Sequence, residues 1–246
     1  MAQSTKPIGA VGDGIAAENA NWRFAGEVAQ AFDDHVRKSV PFYEVGHDLV
    51  CQLSDFFVKP ESVVYEIGCS TGALTARLAR HNRHKPRARF VGLDIEADMI
   101  ARAEERRRAN PDLNLAFVTD DALQAELEPA DLIVCYYTVQ FVRPSQRQAL
   151  IDRLYAALQW GGALVMFEKV RGPDARFQDM LSRLYDDYKL AQGYTPDEIV
   201  AKARSLKGVL EPFSTQGNLD LLGRAGFVDV MSIMRYLCFE GFVAIK

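Results

Sequence analysis

The run Val64-Tyr65-Glu66-Ile67-Gly68-Cys69-Ser70-Thr71-Gly72 ends an apolar stretch in an acid and a glycine turn. Gly68 lets the backbone turn sharply with no side chain in the way, and Gly72 lets the next helix start close to a ligand. Cys69 and Ser70 lie inside the turn and count with it as ligand contacts. A dinucleotide fingerprint needs three glycines to admit a pyrophosphate, but Ser70 stands where the middle one would be. Asp94 follows 28 positions after Glu66, where a second strand should end, with Ile95 beside it. A carboxylate there accepts hydrogen bonds from both hydroxyls of a ribose. Its duller reading is a cap for the helix expected from Ala97, and the spacing favours the ribose. Asp120-Asp121, ahead of Ala122, offer an acceptor for an adenine amino group, with Asp121 the expected contact. Tyr136-Tyr137 close a fourth strand, and strand ends in open α/β sheets point into the ligand crevice. Tyrosine faces attract cations; the plain alternative is two core tyrosines.

These residues need a scaffold, and the pattern supplies one. Predicted strands at Ser62–Ile67, Arg89–Leu93, Leu115–Val118, Asp131–Tyr137 and Ala163–Phe167 alternate with helices at Ala73–Asn82, Ala97–Ala109 and Ser145–Leu158. That alternation predicts a parallel sheet covered on both faces. Gly161-Gly162 read as a turn into the fifth strand. Residues 172–212 break the alternation and read as a helical insert, with Phe177, Leu181 and Leu184 on one stripe. Helix Leu219–Ala225 then leads to Val228–Leu237 and Phe239–Ile245, whose short gap predicts an antiparallel hairpin. Ahead of the sheet, Trp22 to Phe57 is helical in pattern, with Phe24, Val28 and Phe32 in step and a break at Pro41. The expected organisation is a mobile tail at 1–20, a helical lid at 21–60 and a ligand-binding domain at 61–246 that carries the insert.

The chain has 246 residues, 48% of them hydrophobic and 25% charged, enough for one α/β domain with a sizeable core. Its net charge of -4 argues against a nucleic-acid partner. The basic stretches His81–Arg89 and Arg106–Arg108 read as solvated surface. Cys51, Cys69, Cys135 and Cys238 have no metal or disulfide spacing, so no metal is expected. No leader pattern and no apolar run of about 18 residues is present, which predicts a cytoplasmic protein without a membrane partner.

Glycine loop, ribose acid, adenine acid and terminal strand pair together resemble the class I S-adenosylmethionine (SAM)-dependent methyltransferases, over roughly 62–246. The resemblance implies a Rossmann-like α/β fold, a seven-stranded mostly parallel sheet with an antiparallel terminal hairpin, and SAM as the ligand. A narrower resemblance is to the carboxy-SAM synthases, which make a modified SAM from prephenate for tRNA wobble-uridine modification. Phe32–Val36, Arg37–Tyr43, Thr138–Phe141, Ser145–Leu150, Gly161–Val165, Glu168-Lys169, Gly193-Tyr194 and Arg224–Phe227 carry it. It implies that Tyr43 closes over the methionine end of SAM and that the protein is a homodimer.

Three departures redirect the functional reading. Tyr136 stands where that family has asparagine, and Ile95 stands where it has asparagine beside Asp94. Ala203 stands where it has the arginine that holds the transferred carboxylate, and Arg204 is about 100° away around a helix. Prephenate is a dianion whose decarboxylation calls for fixed positive charge, so carboxy-SAM synthesis is the least favoured of three reactions. The favoured one acts on SAM alone, as in the azetidine-2-carboxylate synthases. There the substrate's amine attacks its own γ-carbon and methylthioadenosine leaves. An aromatic pocket of Tyr43, Tyr136 and Tyr137, joined by Tyr185, Tyr188 or Tyr194, would orient that reaction. The alternative is methyl transfer to a small molecule, with His35, His47 or Glu168 as base. A module that binds SAM without turnover is the reading from another class.

Overall fold

Strand β1 (Val63–Ile67) is buried at every position, as an apolar run at the centre of a sheet must be. The structure, a computed structural model, describes residues 9–11, 16–17, 20 and 26–246. β2 (Arg89–Asp94), β3 (Leu115–Thr119), β4 (Ala130–Tyr136), β5 (Leu158–Lys169), β6 (Asp229–Tyr236) and β7 (Phe239–Ile245) complete a seven-stranded sheet. Their order is β3-β2-β1-β4-β5-β7-β6. Neighbours from β3 to β5 are parallel, while β7 runs antiparallel to both β5 and β6.

Alternate residues of the strands feed two cores. Val64, Val134, Val165 and Phe167 face the lid side, with α2 (Tyr43–Phe57) and α3 (Ala73–His81) packed there. Tyr65, Ile133, Leu164 and Met166 face α5 (Pro144–Ala157) and α8 (Thr215–Ala225). The chain leaves β1 for β2 and β3 on one side and returns to β4 on the other. That reversal leaves a crevice at the carboxyl ends of β1 and β4. α1 (Glu27–Ser39) and α2 lie on the lid side, α4 (Ala97–Arg108) follows β2, and α6 (Ala175–Ala191) and α7 (Pro196–Ser205) form the insert.

Several boundaries differ from expectation. β5 starts at Leu158, not Ala163, and Leu158 pairs with Ala130. Gly161 and Gly162 therefore lie within the strand, at an irregularity clamped by Lys246, whose carbonyl and amide bond Gly161 and Gly162. β4 ends at Tyr136, because Tyr137 takes a left-handed φ of 60°. α8 begins at Thr215 rather than Leu219, since the Ser214 hydroxyl caps it by accepting from the Gly217 N–H at 3.1 Å. The lid breaks at Val40–Phe42, with Phe42 at φ 56°. Trp22, Phe24 and most of the expected tail lie outside the described residues. Of that stretch, Gly9–Ala10 pairs antiparallel with Ala16–Ala17, and Val11 is buried against Met99.

Candidate SAM and active site

A cavity of about 1100 Å³ opens at the carboxyl ends of β1, β2, β4 and β5. The lid covers one side of it and the insert another. Gly68, Ser70, Asp94, Ile95, Asp121 and Ala122 line one end, and Tyr43, Tyr136 and Tyr137 line the middle.

The glycine turn is built by hydrogen bonds from the neighbouring strand end. Gly68 and Cys69 both donate to the Leu93 carbonyl, at 2.7 and 3.0 Å. Gly68 has φ 70°, and a Cβ there would strike Thr138, whose hydroxyl donates to the Ile67 carbonyl at 2.8 Å. Asp94 accepts from the Ser70 N–H at 2.8 Å and from the Glu96 N–H at 2.9 Å. Each carboxylate oxygen keeps a second acceptor site for a ribose hydroxyl. The cap and ribose readings of Asp94 are therefore compatible, which its sequence position does not reveal. Burial raises its carboxyl above the ordinary range, and these N–H donors oppose that. Asp121 accepts from the Leu123 N–H at 2.9 Å, which turns the chain at the same end of the cavity as Asp94. The apolar Ile95 side chain at the rim suits an adenine face.

Three expected contacts stand behind the wall rather than on it. Gly72 is pressed against Phe117 and Ala103, so its missing side chain serves helix–strand packing. The Cys69 thiol is buried beside Gly92. Glu66 is buried and accepts from the Thr75 hydroxyl, which ties β1 to α3. Burial pushes the Glu66 carboxyl up to about 8. Glu168 is pushed up to about 8 by the same cause, against the pull of Arg147 and the Val139 N–H at 3.0 Å.

These two carboxyls make stability depend on pH. Between their ordinary value of 4.5 and about 8 the folded chain holds protons that the unfolded chain releases. Their contribution is full below pH 4.5 and lost as pH rises through about 8. The melting temperature is expected to fall over this window, and less steeply in Glu168→Gln. Parallel slopes for the two proteins in thermal scans would exclude Glu168 as a source.

The middle of the cavity is an aromatic box. The Tyr136 ring lies 5.1 Å from Tyr43, 4.8 Å from Tyr137 and 4.8 Å from Phe167, centre to centre. Its hydroxyl donates to the Tyr43 carbonyl at 2.6 Å, and Gly46 leaves room for that approach. Tyr137 is held in its left-handed turn by its N–H on the Phe167 carbonyl at 2.8 Å and by the Gln140 amide on its own carbonyl at 3.3 Å. Burial keeps all three phenols protonated, so none is a phenolate base.

The candidate bases sit elsewhere. His47 is off the cavity wall, behind Tyr43 and Tyr136, at 4.6 and 4.7 Å ring to ring. Its buried Nε2 meets no hydrogen-bond partner among the described residues, and burial pushes its pKa down to about 4. His35 does line the cavity, but it contacts Lys202 and the Tyr194 hydroxyl. Tyr185 lines the cavity and donates to the Ser39 carbonyl at 2.8 Å. Tyr194 is 3.0 Å from the Ser39 hydroxyl, so the insert is latched to the end of α1. Tyr188 only stacks on Tyr185 from outside, at 6.3 Å.

Ala203 lines the cavity as the departure from the family predicts, and Arg204 does not. Lys202 lines it instead, with Lys169 and Lys189, and sequence reasoning missed all three. Lys169 was within reach, because it ends β5 just as Tyr136 ends β4. Among the described residues no group of His, Cys, Asp and Glu is arranged to hold a metal ion, and no helix is long and apolar enough to cross a membrane.

The cavity offers groups that suit SAM: the Asp94 carboxylate at the end of β2, the Gly68 backbone with no side chain in the way, and tyrosine faces of the kind that attract a sulfonium. Similarity to known proteins agrees. A methyltransferase-domain family matches residues 65–164. Carboxy-S-adenosyl-L-methionine synthase of Staphylococcus epidermidis is 33% identical over 228 residues, 92% of this chain and 97% of that protein. The Chromohalobacter salexigens protein of the same name is 37% identical over 229 residues, 92% of this chain and 84% of its own length. Human N-acetylserotonin methyltransferase in complex with SAM superposes with TM-score 0.61 at 17% identity, covering 89% of this chain and 55% of that one. The pyocyanin biosynthetic protein PhzM superposes with TM-score 0.60 at 20% identity, covering 81% and 53%. The chain is a SAM-dependent enzyme of the class I methyltransferase superfamily and belongs to its carboxy-S-adenosyl-L-methionine synthase branch.

Proposed function

We propose that the protein acts on SAM itself, by attack of the substrate's amine on its own γ-carbon. The products are methylthioadenosine and azetidine-2-carboxylate. The observation that carries this reading is the box of Tyr43, Tyr136 and Tyr137, with the Tyr136 hydroxyl taken by the Tyr43 carbonyl. Such a box presents ring faces to a sulfonium and holds the methionine chain folded. Where carboxy-SAM synthases have asparagine, Tyr136 presents a hydroxyl that the Tyr43 carbonyl already takes.

Carboxyl transfer from prephenate is the second reading, supported by Lys169, Lys189 and Lys202 on the cavity wall and by the names of the relatives. Methyl transfer to a small molecule is the third, supported by a volume of about 1100 Å³ that leaves room beside SAM. Mass spectrometry after incubation with SAM alone separates them. Methylthioadenosine with an equimolar four-membered-ring amino acid is expected. Unchanged SAM overturns the reading, and a carboxylated SAM on adding prephenate would establish the second.

A homodimer in the cytoplasm belongs to this proposal. α6 buries none of its residues and exposes Phe177, Met180 and Leu184 at helical spacing. Leu184→Asp is expected to sediment as a monomer where the wild type sediments as a dimer. An unchanged sedimentation coefficient would remove α6 from the interface.

A further inference from the structure

Lys169 is the last residue of β5 and the cross-strand partner of Phe239. Residues two apart in a strand share a face, so Lys169 lies one pleat beyond Phe167. The Phe167 ring touches Tyr136 and Tyr137, at 4.8 and 5.9 Å. Lys169 thus borders the aromatic box on its own side of the sheet, and it lines the cavity. One side chain sets its position against Tyr137: the Gln140 amide accepts from the Lys169 N–H at 2.7 Å and donates to the Tyr137 carbonyl.

The Lys169 ammonium sits 4.3 Å over the Tyr185 ring, and that of Lys189 sits 4.5 Å from the same ring. Asp186 neutralises Lys189 at 2.9 Å, while no carboxylate among the described residues comes within ion-pair distance of Lys169. Its charged and titratable surroundings are Lys189 and Asp186 on α6 and Cys238 in the β6–β7 turn. Lys202 and His35 lie past Tyr185 and Ser39. Half-burial beside the Lys189 cation favours loss of the Lys169 proton, while the Tyr185 face attracts the ammonium and opposes it. Burial is the main cause that lowers the Lys169 pKa, and Lys189 acts in the same direction.

We propose that Lys169 is the proton acceptor for the reacting amine in the cavity, an inference that rests on the cyclisation reading. Lys169 as the neutral amine takes one proton from the α-ammonium of SAM. The freed lone pair attacks the γ-carbon, the carbon–sulfur bond breaks, and its electron pair stays on sulfur. Methylthioadenosine leaves neutral, the ring nitrogen ends as a secondary ammonium, and Lys169 passes its proton to solvent. SAM with its net single positive charge becomes two neutral products and one proton, so charge balances.

The test compares wild type, Lys169→Met and Lys169→Arg across pH with SAM alone. A positioned base contributes about 100-fold or more. Both variants are expected to lose turnover by about that factor, to bind SAM within about threefold of wild type by calorimetry, and to lose the acidic limb of the wild-type pH–rate profile. A readout without turnover accompanies it. After reductive ¹³C-methylation, the dimethyl-lysine resonance missing from Lys169→Arg is expected to titrate below every other lysine. A midpoint in the ordinary lysine range overturns the assignment. Product from SAM with an unchanged profile in Lys169→Met overturns the proton step alone, whereas no product from wild type overturns the cyclisation reading and the step with it.

Discussion

Asp94→Ala is expected to abolish the thermal stabilisation that SAM confers on the wild-type protein. A ligand at about 100 times its Kd adds about 2.7 kcal/mol to a fold that binds it. Hydrogen bonds from ribose hydroxyls to a carboxylate contribute about 1.5–3 kcal/mol each, so losing the pair weakens SAM by 100-fold or more. The substitution also frees the Ser70 and Glu96 N–H groups that Asp94 holds at 2.8 and 2.9 Å. Unliganded Asp94→Ala should therefore melt lower than wild type, by about 1–3 kcal/mol for each donor that water does not reach. Asp94→Asn keeps the shape and one acceptor but sets an amide NH₂ against a backbone donor, and its behaviour should lie between. Calorimetric titration with SAM, alongside thermal scans with and without it, reads both effects. The ribose assignment is falsified if Asp94→Ala binds SAM with wild-type affinity.

Tyr136 carries the second large effect, and two substitutions divide it. Tyr136→Phe removes only the hydroxyl that donates to the Tyr43 carbonyl. That carbonyl starts α2 and keeps its helical partner, so the cost is about 0.5–1.5 kcal/mol. Tyr136→Ala also removes a buried ring packed on Tyr43, His47, Tyr137 and Phe167. A loss of that size costs about 3–5 kcal/mol of stability and opens the box. SAM binding should weaken modestly, through the intact ribose and adenine contacts, while turnover falls much further. Turnover falling only in proportion to binding would show that the ring holds SAM without shaping its reaction. Tyr136→Phe should keep most of its activity, since the proposed contact to the sulfonium is made by the ring face and not by the hydroxyl.

Much of the scaffold is readable because its signals are local. The apolar runs of β1 and β4, the glycine turn at Gly68 and the acid 28 residues beyond Glu66 each act over a few neighbours. The hairpin of β6 and β7 follows from two strand-like runs with almost nothing between them. Errors arise where a distant partner decides. Gly161 and Gly162 look like a turn, but Ala130 and Lys246 hold them inside β5. Gly72 looks like a ligand approach, but Phe117 occupies the space.

By itself the sequence determined the fold class and the order of the elements, and it located the glycine turn after β1 and the acid at the end of β2. The reason is that hydrophobic period, turn chemistry and strand-end position are properties of contiguous residues. Only the tertiary structure decided which side chains share the cavity. It placed His47 behind the tyrosines, fixed Tyr136 on the Tyr43 carbonyl, and gathered Lys169, Lys189 and Lys202 from β5, α6 and α7. Charge and burial at a point are sums over residues far apart in the chain, so the acid–base character of this site becomes visible only when the sheet, the lid and the insert meet.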